Sequence, residues 1–445
     1  MEEENKRVLI LGFGISGRAA ARLAEHLKMI PVPVDARHAP DEALFRESAF
    51  GWQEGTPLPH ADLAVISPGI RPDSPMAQAA RNAGASIIGE LEFACRVLPC
   101  RIVAITGTNG KTTTTELTTA LLQANGIRAQ SAGNIGNALS DAALDVLLHN
   151  NLDVLVVESS SFQLETIQSF RPSTGALLNL ASDHINRHGS MEGYAEAKLR
   201  LFRNMEGGNA VINANLPERY AQQIRARCRT ETFSAAQNAD FMLENGSIRF
   251  HGRPVIPLAE VPLKGNHNAE NIMAALAILK AEAGEEALFS EATAEALRSF
   301  HPDVHRMEFF AEHNGIRFVD DSKATNPHSV NAALNTFGGK KNVILILGGL
   351  DKQMDFSSIR DDADKIKCAF LIGECKEKIY AALHDLFPCT LCATLEEATE
   401  QGARSAAPGD ILALCPACAS MDMFRDYKER GNRFKEAVHR LIRNS

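Results

Sequence analysis

The stretch Ile102–Thr119, IVAITGTNGKTTTTELTT, determines which fold this chain is expected to adopt. Its β-branched start, Ile102–Ile105, predicts a buried strand, and a helix is expected from Thr113 onward. The glycine-containing segment Gly107–Thr112 lies between them. In such a loop, backbone N–H groups and the positive end of the helix approach an anion, and a lysine reaches its outer oxygen atoms. The stretch therefore predicts a phosphate-binding loop.

The loop departs from the common GxxxxGK[ST] pattern, because Ile105 stands where the first glycine would be. The observed spacing is Gly107-x-x-Gly110-Lys111-Thr112, a shorter cradle whose threonine hydroxyl stands where Mg²⁺ is usually held. The alternative is an ordinary strand-to-helix turn with a surface lysine. The glycines, the Lys-Thr pair and the flanking elements coincide, and this favours phosphate binding.

Size and composition limit the class of protein. A chain of 445 residues exceeds what one hydrophobic core usually organises, so we expect two or three domains. The net charge of −9 and the lack of a Lys/Arg run disfavour nucleic-acid binding. No apolar segment approaches the ~18 residues of a membrane span, and the start MEEENK does not fit a signal peptide. We therefore expect a cytoplasmic protein without membrane insertion.

The cysteines favour reduced thiols over a disulfide framework, because there are nine of them, scattered through a large chain. Cys389/Cys392 and Cys415/Cys418 have the spacing of zinc ligands, which leaves structural zinc as an alternative. Each pair adjoins an apolar, strand-like segment without polar turns, so buried thiols are the preferred interpretation.

The N-terminal part shows a dinucleotide-binding pattern. A strand at Arg7–Leu11 runs into GFGISG at Gly12–Gly17, and a second strand, Ile30–Val34, ends at Asp35. The same backbone can hold any diphosphate, and Arg37 could equally meet a uracil or a phosphate. A nicotinamide-dependent dehydrogenase and a nucleotide-sugar site therefore both remain open here.

Polar residues recur at predicted strand ends in the middle of the chain. Glu158 follows the strand Asp153–Val157, where a Mg²⁺ ligand is expected beside a phosphate loop. The strand Ala176–Leu180 is followed by Asp183-His184. Each such residue could be a solvated loop side chain, but their repeated placement favours a common site. Lys198 is expected on a helix.

Asn268 and Asn271 fall on one face of a helix predicted to reach about Ala283. Their amides could read an adenine edge or cap the helix. A third α/β region begins near Phe300, with polar loops after its strands. Those strands are predicted at Arg317–Val319, Val343–Leu347, Cys368–Ile372 and Ile411–Leu414, before a charged helix from Met423 to about Ile442.

The predicted fold class is α/β with three domains. Residues 1–95 are expected to form a Rossmann-like domain, which would also present Ser67–Gly69 to its ligand. A central mononucleotide-binding sheet of the P-loop type is expected at 96–300, and a second Rossmann-like domain at 301–445.

Several motifs follow one another in a fixed order. They are Thr106–Thr112, Glu158–Ser161, Asp183-His184, Ala197-Lys198, His267–Asn271, His305-Arg306, Asp321–Asn326, Gly348–Lys352 and Cys415–Phe424 with Arg430-Gly431. In this order they resemble the ATP-dependent Mur ligases of peptidoglycan synthesis, over essentially the whole chain. The last motif is similar to the D-glutamate-adding branch, and the Asp-Asn-Pro-Arg motif of the diaminopimelate-adding branch is absent.

The resemblance implies an activity. ATP would phosphorylate the L-alanine carboxylate of UDP-N-acetylmuramoyl-L-alanine, and the amine of D-glutamate would attack the acyl phosphate. This places the chain in cytoplasmic peptidoglycan precursor synthesis, and so in cell-wall biogenesis, cell shape and division, with a monomer expected. Two Mg²⁺ ions are implied: one held by Thr112 and Glu158, the other by Glu158, His184 and Lys198, the lysine carbamylated by CO₂.

The resemblance also implies roles for individual residues. Lys111, Glu158, His184, Lys198 and Arg306 would be catalytic. ATP would be bound by Gly107, Thr108, Asn109, Gly110, Lys111, Thr112, Thr113, Asn268, Asn271, Arg306 and Asp321. The UDP-sugar would be bound by Gly14, Ile15, Ser16, Asp35, Arg37, Ser67, Pro68, Gly69 and Asn134, and D-glutamate by Lys323, Thr325, Lys352, Ser420 and Tyr427.

Two other functions would account for part of the sequence only. A dehydrogenase would leave the phosphate loop and the third domain without a role. A nucleotide-dependent switch would explain the loop but not the C-terminal motif.

Overall fold

The apolar runs predicted as strands form three sheets, each with several parallel strands at its centre. The computed structural model describes residues 6–38, 42–134, 138–149, 151–301, 304–337, 341–351 and 354–444. These form two compact units: the first takes residues up to 180, 195–262 and 268–300, and the second takes 181–194, 263–267 and residues from 301 on. Within the described ranges, no helix combines the length and the apolar character that a membrane crossing requires.

The first sheet is fully parallel, with strand order β3-β2-β1-β4-β5. Its strands are β1 (Arg7–Leu11), β2 (Ile30–Asp35), β3 (Ala49–Phe50), β4 (Leu63–Ile66) and β5 (Ser86–Gly89), and its helices are α1 (Ile15–His26), α2 (Pro75–Asn82) and α3 (Glu90–Cys95). Helices cover parallel sheets on both faces, so central strands read as continuous apolar runs. The predicted strands at the N-terminus are confirmed by this arrangement.

The second sheet has the order β14-β13-β12-β11-β10-β9-β6-β8-β7. Its strands are β6 (Arg101–Thr106), β7 (Ala129–Gly133), β8 (Val154–Glu158), β9 (Thr174–Leu177), β10 (Asn209–Asn213), β11 (Arg229–Ser234), β12 (Phe241–Glu244), β13 (Ser247–Phe250) and β14 (Arg253–Pro257). The helices of this part of the chain are α4 (Lys111–Ala124), α5 (Leu139–His149), α6 (Ser161–Leu164), α7 (Ile185–His188), α8 (Met191–Leu199), α9 (Glu218–Arg225), α10 (Asn266–Ala283) and α11 (Glu291–Ser299).

Two predicted boundaries in this part of the chain are wrong: the end of β9 and the start of α4. The strand expected at Ala176–Leu180 ends at Leu177, because Asn179 leaves the ladder and bonds the phosphate loop instead. The helix expected from Thr113 already begins at Lys111. Gly110 adopts a left-handed φ of +83°, which turns the chain directly into the helix.

The third sheet has the order β15-β16-β20-β17-β18-β19, with β15 antiparallel to β16. Its strands are β15 (Glu308–His313), β16 (Ile316–Asp320), β17 (Val343–Gly348), β18 (Ile366–Ile372), β19 (Cys389–Leu391) and β20 (Ile411–Leu414), and its helices are α12 (Pro327–Phe337), α13 (Lys376–Leu383), α14 (Leu395–Ser405) and α15 (Tyr427–Asn444). The helix expected from Met423 begins only at Tyr427. The N–H groups of Met423 and Phe424 both donate to the Ser420 carbonyl and form a turn.

The first two sheets share a hydrophobic core, in which Val8 and Ile10 belong to the same cluster as Ala104 and Val157. A buried carboxylate on α3 reinforces this connection. Glu92 accepts backbone N–H groups of Gln168, Ser169 and Phe170, each at 2.9 Å, as well as the Ser169 hydroxyl. Its side chain also pairs with Arg96 at 2.9 Å. A single side chain of α3 thus fixes a loop that follows α6.

We expect Glu92→Ala to lower the free energy of unfolding by about 3 kcal/mol or more, because several buried donors lose their charged acceptor. Urea titration of the full chain measures the change. Glu54→Ala removes an exposed glutamate and serves as the matched control. Equal midpoints for the two variants would contradict the role of Glu92.

Comparison of the wild type with Glu92→Ala at different pH values gives a second test. Burial raises the pKa of Glu92, but the hydrogen bonds of Ser169 and Gln168 outweigh it, and the pKa lies below the usual glutamate value. A lowered folded-state pKa stabilises the protein above the pKa of the unfolded chain, and this contribution is lost as pH falls through the folded value. The stability difference between the wild type and Glu92→Ala should therefore shrink in acid.

Candidate functional site

The phosphate loop lies between the end of β6 and the start of α4, and a distant asparagine fixes its shape. The side-chain oxygen of Asn179 accepts the backbone N–H groups of Thr108 at 3.1 Å and Asn109 at 2.9 Å. Its amide nitrogen donates to the Asn109 carbonyl at 3.1 Å. No role was predicted for Asn179, although an amide directly after an apolar strand was a usable signal.

A second asparagine packs against the turn of the loop. A Cβ atom added to Gly110 would lie 2.1 Å from Oδ1 of Asn271, so a larger residue here would have to displace that side chain. Asn271 also donates to Asn268 at 3.2 Å. The two asparagines predicted on one helix face therefore adjoin the loop, and Thr113 is buried in α4.

Two ammonium groups converge on one carbonyl of the loop. Lys111 Nζ donates to the carbonyl oxygens of Gly107 at 3.0 Å and Thr108 at 2.8 Å. Lys198 Nζ donates to the same Gly107 oxygen at 2.8 Å. Lys198 is only 1% exposed, on the last turn of α8. The loop thus concentrates positive charge where its backbone N–H groups would meet an anion.

Glu158, at the end of β8, is held by groups from two other segments. Thr112 donates its hydroxyl to Oε2 of Glu158 at 2.8 Å, and the Asn134 amide donates to Oε1 at 2.9 Å. The carboxylate is 2% exposed. Three residues that are far apart in the sequence thus meet at one edge of the second sheet.

The donor set suits a magnesium ion, which prefers hydroxyl and carboxylate oxygen atoms. Thr112 and Glu158 already bring such atoms within 2.8 Å of each other. The Lys198 ammonium cannot ligate a metal ion, so its participation would require a modified side chain. His184 belongs to the second unit, where its backbone N–H donates to Asp183 at 2.9 Å.

The first sheet gathers the predicted UDP-sugar residues, apart from Asn134 of the second sheet, at the carboxyl ends of β1, β2 and β4. Asp35 accepts the backbone N–H of Phe13 at 2.7 Å and that of Arg37 at 2.9 Å. Burial raises the pKa of Asp35, but these hydrogen bonds and the Arg37 charge hold it below its ordinary value. Ser67 donates its hydroxyl to the Gly12 carbonyl at 2.9 Å.

The remaining predicted residues of this sheet lie on the same loops or in the first turn of α1. They are Gly14, Ile15, Ser16, Pro68 and Gly69. The side chain of Ile15 is 79% exposed at the start of α1, which leaves an apolar group in water beside the glycine loop.

In the second unit, Arg306 and Asp321 lie together. Asp321 accepts the Met307 backbone N–H at 3.1 Å. Burial raises the pKa of Asp321 to about 6, against the opposing charge of Arg306. The Nε atom of Arg306 is buried without a hydrogen-bond partner among the described residues. Such an atom is a ready donor for an anionic ligand.

A buried arginine joins the loops that carry the predicted D-glutamate residues. Arg430 donates to the hydroxyl and carbonyl oxygens of Ser322 at 3.0 and 2.7 Å, and to the Cys418 carbonyl at 3.1 Å. Burial lowers its pKa to about 10. The loops positioned in this way carry Lys323, Thr325 and Ser420.

This role of Arg430 was not predicted from the sequence. Its signal was the spacing with Phe434 and Val438, which places a charged residue on the buried stripe of α15. Tyr427 opens the same helix, with the Lys323 ammonium 5.4 Å from its ring centre and its carbonyl accepting the Ser322 hydroxyl. Lys352, also predicted to bind D-glutamate, lies outside the described residues.

Within the described ranges, one group of side chains has metal-ligand spacing: His305, Glu308 and Asp320. His305 Nδ1 lies 2.6 Å from Asp320. Lys435 Nζ donates to Glu308 and lies 3.6 Å from Asp320. The lysine ammonium therefore already neutralises these carboxylates. Cys392, Cys415 and Cys418 are buried free thiols, as predicted, whereas Cys389 is a free thiol that is only partly buried.

The loop geometry and the three α/β sheets together define a nucleotide-phosphate-binding protein. Family models match three successive segments: a Mur ligase MurD-like N-terminal domain at 6–89, a Mur ligase middle domain at 105–279 and a Mur ligase glutamate ligase domain at 305–418. The chain belongs to the Mur ligase family, as its motifs predicted. The predicted domain limits at 95 and 300 remain predictions.

Curated relatives match along nearly the whole chain. A protein of Acidobacterium capsulatum named UDP-N-acetylmuramoylalanine--D-glutamate ligase is 38% identical, over 98% of this chain and 97% of its own length. A protein of the same name from Trichlorobacter lovleyi is also 38% identical, over 99% and 100%. Among solved structures, the MurC ligase of Thermotoga maritima has a TM-score of 0.62 at 19% identity, covering 98% of this chain and 99% of its own. This likeness confirms the fold class.

We expect Gly110→Ala to destabilise the protein more than Gly126→Ala, which is the matched control. Both glycines have a left-handed φ, +83° and +79°, so both substitutions carry backbone strain of about 1 kcal/mol. A Cβ at Gly126 meets nothing within 4 Å, whereas one at Gly110 meets Asn271 at 2.1 Å. Chemical denaturation measures both changes. A smaller loss for Gly110→Ala would contradict the tight packing of the loop.

Proposed function

We propose that this chain is an ATP-dependent ligase that joins D-glutamate to UDP-N-acetylmuramoyl-L-alanine. The observation that carries the proposal is the convergence of Lys111 and Lys198 on the Gly107 carbonyl, next to the Thr112–Glu158 pair. The names of relatives that are 38% identical over almost the full chain support the same substrates. The proposed setting is the cytoplasm, in peptidoglycan precursor synthesis, with the chain acting as a monomer.

The first step would form an acyl phosphate. A carboxylate oxygen of the L-alanine residue attacks the γ-phosphorus of ATP, the bond to the β-phosphate oxygen breaks, and ADP leaves. Phosphoryl transfer depends on positioning and on neutralising charge. Lys111 and the loop N–H groups would hold the phosphates, with Arg306 neutralising the transferred group. Asn134 would lie near the accepting carboxylate.

The second step would form the amide. The D-glutamate amine, after losing a proton, attacks the acyl carbon, and the tetrahedral intermediate expels phosphate. Two carboxylates on this substrate call for cations, and Lys323 and Lys352 are proposed to supply them. Thr325, Ser420 and Tyr427 would complete the site on the loops that Arg430 ties together.

The other predicted residues would place the remaining ligands. Asn268, Asn271 and Asp321 are proposed to serve the adenosine. The UDP group would bind the N-terminal loops through Gly14, Ile15, Ser16, Asp35, Arg37, Ser67, Pro68 and Gly69.

Two Mg²⁺ ions are proposed, and they would neutralise phosphate charge when bound. Thr112 and Glu158 would hold one, and Glu158, His184 and Lys198 the other. Lys198 would act as a carbamate, formed when its neutral amine attacks CO₂ and loses a proton. The modification changes a cation into an oxygen ligand, which Mg²⁺ prefers.

Phosphate release from ATP tests the function. We expect release only when UDP-N-acetylmuramoyl-L-alanine and D-glutamate are both present, because each substrate is consumed in one of the two steps. L-Glutamate is the matched control, since it differs only in configuration. Turnover without either substrate would favour a nucleotide switch, and NADH binding would favour a dehydrogenase.

We expect Lys198→Ala to lose activity and to regain part of it in formate or acetate, because a small carboxylate can take the place of the carbamate. The measurement is phosphate release with and without the added acid.

Lys111→Ala is the control for this rescue, since a carboxylate cannot replace an ammonium group at the loop. Near-normal turnover of Lys198→Ala, or equal rescue of both variants, would rule out the carbamate.

A further inference from the structure

A cavity of about 250 Å³ lies in the first unit, on a face that the proposed reaction does not use. It is bounded by α8 and the turn after it on one side, and by α9 and the turn after it on the other. Its lining residues are Glu196, Leu199, Arg200, Phe202, Arg203, Gln223, Ile224 and Arg227.

Helical geometry separates this cavity from Lys198. Glu196, Leu199, Arg200 and Arg203 follow one another at helical spacing and share one face, while Lys198 lies about 200° away from Glu196. The Lys198 ammonium accordingly points to the Gly107 carbonyl, at 2.8 Å. The cavity and the phosphate loop therefore use opposite faces of the same segment.

The cavity has an apolar floor and a cationic rim. Leu199, Phe202 and Ile224 are all buried, with at most 8% exposure. Three arginines and one glutamate supply the charges of the lining. The lining is therefore positively charged, although the chain as a whole has a net charge of −9.

Two of the arginines are held in place. Arg200 donates to the carbonyl oxygens of Leu164 at 3.0 Å and Ile167 at 3.3 Å, so its position is fixed without a carboxylate contact. Arg227 pairs with Glu206 at 3.0 Å, which neutralises its charge. A guanidinium group that is already held in place loses little conformational entropy when a ligand binds to it.

Arg203 is exposed, and its side chain has no hydrogen-bond or ion-pair partner among the described residues. Burial, and after it the nearby charge of Arg203, lower the pKa of Arg200 against the opposing charge of Glu165. Two guanidinium groups of like charge thus line the same cavity. A phosphate or carboxylate group would relieve this repulsion through charge-assisted hydrogen bonds.

We propose that this cavity binds a small organic anion, with its phosphate or carboxylate group held by Arg200 and Arg203 and its apolar body on Leu199, Phe202 and Ile224. The volume is below the roughly 300 Å³ at which drug-sized sites begin, so the ligand is a single ring or a short chain with one acidic group. Gln223 and Glu196 stand at the rim for its polar substituents.

Calorimetric titration of the full chain with phenyl phosphate tests the proposal. Arg203→Glu should weaken binding about tenfold or more, since it removes one charged contact and adds a repulsive one. Arg225→Glu is the matched control: it makes the same charge change on α9, in an exposed residue that pairs with Glu218 and does not line the cavity. The affinity of Arg225→Glu for phenyl phosphate should stay within about twofold of the wild-type value.

A second pair of measurements separates this cavity from the phosphate loop. Binding that survives Lys111→Ala and is lost in Arg203→Glu belongs to the cavity, and the reverse result would overturn the proposal. Arg203→Gln removes the charge without inverting it, so it keeps the test open if Arg203→Glu fails to fold.

Comparison of probes identifies the ligand class. Phenylacetate in place of phenyl phosphate distinguishes a carboxylate from a phosphate preference, and binding of either one supports the site. Inorganic phosphate should bind several-fold more weakly than phenyl phosphate, because it lacks the apolar body. Equal binding of these two would contradict the role of the apolar floor, and failure of both organic anions to bind would overturn the site.

Discussion

The hydrogen bond from the Thr112 hydroxyl to Glu158, 2.8 Å long and buried, is the interaction on which the candidate site depends. It joins the first turn of α4 to the end of β8, and Asn134 adds the end of β7 from the other side. A buried carboxylate is costly unless its oxygen atoms are satisfied. The pair therefore constrains three segments at once and fixes where an anion or a cation can approach the sheet.

Other polar side chains near this pair also hold loops in place, through hydrogen bonds to the backbone or through close packing. Asn179 holds the backbone of the phosphate loop, and Asn271 fills the space that the missing side chain of Gly110 leaves open. In the second unit, Arg430 holds the loops of Ser322 and Cys418 through three hydrogen bonds. In both units, buried polar side chains that contact backbone groups keep the loops in one conformation.

Much of the fold followed from local patterns. Apolar runs gave the central strands, and glycine with a Lys-Thr pair gave the loop between β6 and α4. The predicted end of a strand was wrong where a side chain of that strand bonds a segment far away in the sequence. Leu178–Leu180 reads as the continuation of a strand, yet Asn179 bonds the loop about 70 positions earlier in the chain. The charged edge strand Glu308–His313 has a mixed burial pattern and gave no clear strand signal.

The sequence by itself determined the family, the three α/β regions and the list of polar residues at strand ends, because these depend on residue type and short-range spacing. Only the tertiary structure decided which of those residues meet. The Lys198 ammonium lies at the Gly107 carbonyl, 91 positions away, and Arg430 lies at Ser322, 108 positions away. Sheet order decides which distant segments become neighbours, and short-range spacing carries no information about that order.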